Sequence, residues 1–398
     1  MEKNEIKIEL LPHTPFLMDN GKFDLENAIN YSAKLAGECY EPEGWSKLKN
    51  EDDTKSFKRS NFTLDLEHST PYEHINIGME ITNIPKILAM VLNNERQCST
   101  SEKSARYTKL DSNIESNITQ EEINLYNKWM EIFYEKISSD YRPCFTESKI
   151  KKLAQENARY LISVFSSTKM IHTVPWVQLN RIISFMKKNI EENNKTDFDK
   201  KLNESFTSFI KSVEELNLID KRALSNRKNR KLSLFSENEI VDNFDVMYST
   251  NYEGTFAQLA QAHRHRTIEY SMKLLNEPKY FIPPIIENDK ILTDEWIEDM
   301  NKVSNCYPQG MLVSISECGS FDKFILKAKE RLCTEAQQEI MYQTKKTLEL
   351  YKKALQEKNH PLGDEIEKYS KGARCTFPDY KCVRDCKFRE GKTLVRKI

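Results

Sequence analysis

The chain has 398 residues, enough for two or three domains and at least one sizeable core. Lys and Arg number 60 against 61 Asp and Glu, so no global positive field exists to gather nucleic acid, and any anion site must be local. A content of 38% apolar and 30% charged residues excludes a disordered chain, and with no apolar run near 18 residues a membrane span is not expected.

Taken from the N-terminus, Met1 to Lys7 lacks the apolar core of a signal peptide, and a cytoplasmic protein is expected. Up to about Leu66, short apolar runs alternate with turn signals such as Asp19-Asn20-Gly21 and Glu41-Pro42-Glu43-Gly44. Ile75 to Ile81 alternates with period two and predicts a strand with one buried face. Pro85 then opens a helix over Lys86 to Asn93. Residues 119 to 215 predict helices, with Leu153, Asn157, Tyr160, Leu161 and Val164 marking an amphipathic face. From Lys187 to Glu239 the composition shifts to Lys, Asn, Glu and Asp, and the basic run Asn226 to Lys231 predicts a solvated linker face. A second apolar stretch, Ile240 to Phe256, leads into a helix through His263. After Pro283-Pro284 come more helices, one of them long and charged from about Phe321 to Gln356. The order strand-helix, helices, linker, strand-helix, helices predicts an internal repeat of about 200 residues per unit. The expected boundaries are 1–218, 219–371 and a cysteine-containing tail, 372–398.

Three segments could carry chemistry. In Glu95 to Tyr107, Ser104 and Arg106 place a hydroxyl and a guanidinium two residues apart, a workable phosphate cradle. Glu102 could meet Arg106 across a helical turn or accept a hydrogen bond from a base edge; alone, the set reads equally as a surface Glu–Arg pair. In Gln261 to Arg266, two arginines flank a histidine, and in a helix Gln261, Arg264 and His265 share a face. Such a cationic spot suits a pyrophosphate or a reduced, negatively charged ring, or RNA. Around Arg331, Thr334 predicts a helix cap with Glu335 and Gln337 in the first turn. No G-x-G-x-x-G or G-K-[ST] loop accompanies these segments, which argues against a dinucleotide or triphosphate held by a glycine-rich turn.

Together the segments resemble the flavin-dependent (ThyX-type) thymidylate synthase family, with one set of motifs divided between two halves. His68 to His74 matches the family's H-x-T-P-x-E-H, and Ser99 to Tyr107 matches S-x-N-E-x-S-x-R-Y, with Ser101 for Asn. The R-H-R position before it has become Asn94-Glu95-Arg96. Conversely, Gln261 to Arg266 matches Q-x-x-R-H-R, while the downstream serine and arginine positions are Leu274 and Asn276. Ala158-Arg159 resembles the A-R pair that opens a core helix, and Arg331 with Ala336 to Ile340 resembles L-R-x-x-x-x-A-Q-x-E-I. The family's N-x-R flavin pair falls at Pro175 and Val177 in one half and near Ser320 and Asp322 in the other.

The resemblance implies a helix-rich α/β (α+β) fold of two related halves, each a small sheet flanked by helices. It implies reductive methylation of dUMP to dTMP with FAD, methylenetetrahydrofolate and NADPH. The implied catalytic residues are Arg264, Arg331 and Ser104. Ser104, Arg106 and Arg159 would hold the phosphate, Glu102 would line the nucleotide pocket, and Gln261, Arg264 and Arg331 would contact the nucleotide. His68, Arg264, His265 and Arg266 would hold the flavin. Family sites form between subunits of a homotetramer, so a duplicated chain implies a homodimer. Rival readings are dUMP hydroxymethylation and a non-catalytic nucleotide- or RNA-binding relative. No metal is assigned; Cys375, Cys382 and Cys386 could bind zinc or an iron–sulfur cluster, but free thiols are the simpler reading.

Overall fold

The computed structural model describes residues 5–104, 117–225, 229–236, 240–265, 268–383, 386–388 and 390–398, without the side chain of His265. Arg106 and Arg266 therefore lie outside the described residues. The chain divides into two compact units, Met1–Lys103 with Ser167–Leu232, and Ser104–Ser166 with Ser233–Ile398. Residues 104–166, placed by sequence in the first repeat, thus group with the second unit.

The first unit opens with β1 (Lys7–Leu10), α1 (Leu25–Ala36), the short α2 (Trp45–Leu48) and α3 (Asp53–Asp65). β2 (Asn76–Pro85), α4 (Lys86–Asn94) and β3 (Ser99–Glu102) follow. The chain then passes to the second unit for α5 (Gln120–Tyr141), α6 (Glu147–Ala158) and a 3-10 turn, Arg159–Leu161. It returns for β4 (Ser167–Pro175), α7 (Trp176–Glu192) and α8 (Asp197–Glu215). The rest of the second unit is β5 (Asn243–Phe244), β6 (Met247–Thr255), α9 (Phe256–Ala262), β7 (Glu269–Leu274), α10 (Lys290–Lys302), β8 (Leu312–Ser320), α11 (Phe321–Arg331), α12 (Gln338–Glu357) and α13 (Leu362–Glu367). Among the described residues no helix is long and apolar enough to cross a membrane.

Each unit holds a four-stranded antiparallel sheet, in the orders β1-β2-β4-β3 and β5-β6-β8-β7. The two orders are the same when strands are counted within each sheet. The central strands run directly into helices, at Pro85, Pro175, Thr255 and Ser320. Proline suits such a junction because its missing N–H is one the first turn leaves unpaired anyway. At the other two junctions the side chain caps: Thr255 Oγ1 accepts from Gln258 N, and Ser320 Oγ from Lys323 N.

Three local expectations are corrected. The all-helical reading of 119 to 215 missed β4, whose Ile171, Thr173 and Met170 pair with both β2 and β3. The alternating strand is covered on more than one face: it is central in its sheet, Gly78 is buried, and Thr14 Oγ1 donates to the Gly78 carbonyl. The long helix from Phe321 breaks after Arg331 and restarts at Gln338. The C-terminal segment occupies the break: the Arg396 guanidinium donates to the carbonyls of Thr334 and Ala336. Thr334 accordingly caps nothing, and Gln337 stands at the cap position without a side-chain capping bond.

The first core gathers Ile77, Ile81, Leu88, Val91, Val174 and Trp176 around its sheet, with Phe206 and Phe209 of α8, all buried. Trp176 keeps its indole N–H satisfied by donating to the Leu218 carbonyl at 2.8 Å. In the second unit Trp129 of α5 meets Trp296 of α10 edge-on at 4.8 Å, and the Trp129 indole donates to buried Asp299 at 2.9 Å. These contacts tie the α5–α6 pair to the second unit.

Candidate functional site

Gln261, Arg264, Arg331 and Arg159 all lie in the second unit. β6 ends at Thr255, whose capping hydroxyl starts α9, and one helical turn later Gln258 and Gln261 follow on one face at i, i+3. Both residues are buried, and among the described residues the side-chain nitrogen of each lacks a hydrogen-bond partner. Two unsatisfied amide donors on one helical face cost free energy unless something accepts from them. Gln258 has room there because Gly254 lacks a Cβ, which would sit 2.2 Å from the Gln258 Oε1.

α9 ends at Ala262 and tightens into a 3-10 turn, His263–His265. That turn carries Arg264 half-buried beyond the glutamines. The helical face predicted for Gln261, Arg264 and His265 therefore does not run on as a regular α-helix. Arg331, the last residue of α11, is buried, and its guanidinium donates to the backbone carbonyl of Gln261. Arg331 thus reaches the segment that bears Gln261 and Arg264, as one anion or base site requires.

Arg159 does not open a helix: Ala158 closes α6 and Arg159 begins the tight turn after it. It is buried, in a turn held by the backbone of the strand-leading segment, where Gly310 N donates to the Tyr160 carbonyl at 2.8 Å. Tyr160 in turn donates to Glu339 Oε2 at 3.2 Å and accepts from Gln337 Nε2 at 2.6 Å. Glu339 also accepts from Thr255 N at 2.8 Å and Thr255 Oγ1 at 2.7 Å. Burial drives its carboxyl up to about 7, against the pull of these hydrogen bonds and of the nearby Arg159 charge. Glu339 and Gln258 were not picked out from sequence as site residues. Glu339 sits on α12 and Gln258 on α9.

Of the remaining predicted residues, Glu102 and His68 lie in the first unit, and Ser104 is grouped with the second. Glu102, on edge strand β3, buries its carboxylate against Lys86, and Asn93 Nδ2 donates to it at 3.2 Å. It is strand, so a helical-turn pairing with Arg106 is not available to it. His68 is exposed in the turn ahead of β2. Ser104 is half-buried and ends the described segment. The degraded motif position Glu95 is fully buried and accepts from Arg230 Nη2 at 2.8 Å, so the basic linker supplies an internal counter-ion. The two N-x-R positions fall at equivalent strand-to-helix junctions, Pro175 before α7 and Ser320 before α11. Among the described residues no three His, Cys, Asp or Glu side chains gather as a metal site.

Residues 24–194 match the family model described as thymidylate synthase complementing protein, which bears out the resemblance over that stretch. No curated protein sequence matches. Similar solved structures include a UMP/dUMP methylase, PolB, from Streptomyces cacaoi bound with 5-Br dUMP, at 16% identity and a TM-score of 0.34, over 53% of this chain and 91% of that one. Another is thymidylate synthase X from Helicobacter pylori with FAD and dUMP, at 15% identity and a TM-score of 0.32, over 56% of this chain and all of that one.

Proposed function

From the match of residues 24–194 to the thymidylate synthase complementing family, we propose that this chain is a flavin-dependent enzyme acting on dUMP. Its reaction is reductive methylation to dTMP, with methylenetetrahydrofolate as carbon donor and NADPH as electron source. The observation that carries this reading is the face of α9. Its buried Gln258 and Gln261, whose side-chain nitrogens lack partners among the described residues, lead into the turn that bears Arg264, and Arg331 donates to the Gln261 carbonyl. Amide donors suit the carbonyls of a pyrimidine, and the guanidiniums suit charge that develops on it.

Uracil C5 is a poor nucleophile until negative charge can spread over the ring. Arg331, held by the Gln261 carbonyl, and Arg264 would stabilise that charge by position alone. Ser104, Arg106 and Arg159 would hold the phosphate, and Glu102, fixed by Lys86 and Asn93, would line the nucleotide pocket. The half-buried Arg264 guanidinium fits the negative charge of a flavin, which His68, His265 and Arg266 would help hold. The bound flavin would supply the hydride chemistry; the protein supplies orientation and charge. The absence of the N-x-R pair at both strand-to-helix junctions favours, as a second reading, a binder of nucleotide that does not turn it over.

The test is the spectrum of the purified protein after incubation with FAD. Flavin absorbance that NADPH bleaches and air restores supports the enzyme. The mass of the product formed from dUMP then separates methyl from hydroxymethyl addition. Nucleotide binding with no flavin retention would leave the binder reading in its place.

A further inference from the structure

Three separate segments bring Arg159, Gln261 with Arg264, and Arg331 into the second unit, and the head of α12 touches two of them through one side chain. Glu339 accepts from Thr255, which starts the helix leading to Gln261 and Arg264, and from Tyr160, the neighbour of Arg159. We propose that Glu339 is a positioning residue, whose ionised carboxylate sets the Arg159 turn and the start of α9 in register for one nucleotide. This rests on the nucleotide-binding reading above.

The energetics separate this role from a purely structural one. A buried carboxylate is costly, and three hydrogen bonds do not repay the burial here, since the group is pushed up to about 7. A carboxyl raised above its usual range stabilises the fold in its protonated form. That contribution is complete below the ordinary carboxylate range and is lost as pH rises through about 7. Ionisation at Glu339 therefore works against stability. Yet the ionised form accepts from all three donors at once, whereas the proton of the neutral form needs an acceptor, and one of the two hydroxyls would have to turn round to provide it. The titratable and charged groups facing it are Arg159 and Tyr160 from the turn and Tyr252 from β6. Both tyrosines are pushed further up by burial, and an arginine stays charged, so none of these titrates near neutrality.

The experiment uses the full chain and measures dUMP binding by calorimetry from pH 6 to pH 8.5, alongside the melting temperature. In the wild type, dUMP affinity should rise as pH climbs through about 7. Glu339→Gln should bind dUMP about tenfold more weakly at pH 8, with that pH step gone, while melting no lower than the wild type. Affinity and pH profile unchanged in Glu339→Gln would overturn the proposal. So would a loss of affinity matched by a fall in melting temperature. Should Glu339→Gln fail to fold, Tyr160→Phe decides: it removes one donor and should weaken dUMP binding severalfold, and unchanged binding would overturn the proposal. A wild type that binds no dUMP at any pH defeats the functional reading itself, and this inference with it.

Discussion

At the scale of single residues, charge buried in the second unit is held by partners rather than by solvent. Glu317 of β8 accepts from Lys327 Nζ at 2.5 Å, from Tyr252 at 3.0 Å and from Tyr248 at 3.3 Å. Burial pulls the Lys327 ammonium down while Glu317 pulls it up. Lys327→Met should therefore cost about 3–5 kcal/mol, because it strands Glu317 as an uncompensated buried charge. Urea denaturation would show this, and adding Glu317→Gln should restore part of the loss. Arg264 is only half-buried, in the 3-10 turn that follows α9. Arg264→Ala should abolish flavin retention and turnover while leaving the melting temperature within a few degrees of the wild type. Normal turnover in that variant would defeat the assignment. Gln261, Arg264, Arg331 and Arg159 were legible in the sequence because their motifs are local strings. Glu339 stands in the same matched string as Arg331, but its tie to two donors far away along the chain, Thr255 and Tyr160, was not legible.

At the scale of elements, periodicity found the strand at β2, the helix after Pro85 and the strand-helix pair β6–α9. It missed β4 because Met170, Val174 and the flanking Trp176 and Leu179 continue an apolar rhythm that a helix would also show, and only pairing with β2 and β3 decides. It also ran α11 into α12, because charged helix-forming residues surround the break and the arginine that bonds its free carbonyls, Arg396, comes 62 residues after Thr334. The turn bearing Arg159 has its own constraint. A Cβ on Gly310 would lie 2.8 Å from the Tyr160 Cβ and 3.2 Å from the Tyr160 carbonyl oxygen. Gly310→Ala should thus push this turn aside, costing about 1–3 kcal/mol and weakening dUMP binding through Arg159. Thermal melts and calorimetry at one pH check both parts, and an unperturbed variant would show that the turn has slack.

At the scale of the whole molecule, the two sheets share one strand order, and the division of the motifs expected from the sequence can be tested by stoichiometry. The first unit keeps Glu102 and His68, and the position of the cationic motif there is filled by Glu95 with Arg230 as its counter-ion. There a carboxylate, neutralised from within, stands where the complete motif has its histidine, so that position is not expected to hold a second flavin. Titration of FAD should therefore saturate at one per chain, and sedimentation should show a homodimer; two flavins per chain would contradict the division of the motifs.

The passage of residues 104–166 from one unit into the other has a practical corollary. β3 and β4 are neighbours in one sheet, yet the chain that joins them packs its helices elsewhere. No single cut of the polypeptide can release either unit whole. A gene fragment ending near 232 would carry α5 and α6 without the tryptophan and aspartate of α10 that receive them, and would be expected to aggregate. Anyone wishing to study one unit by itself must excise the helical pair and bridge the gap, or else express the two pieces together.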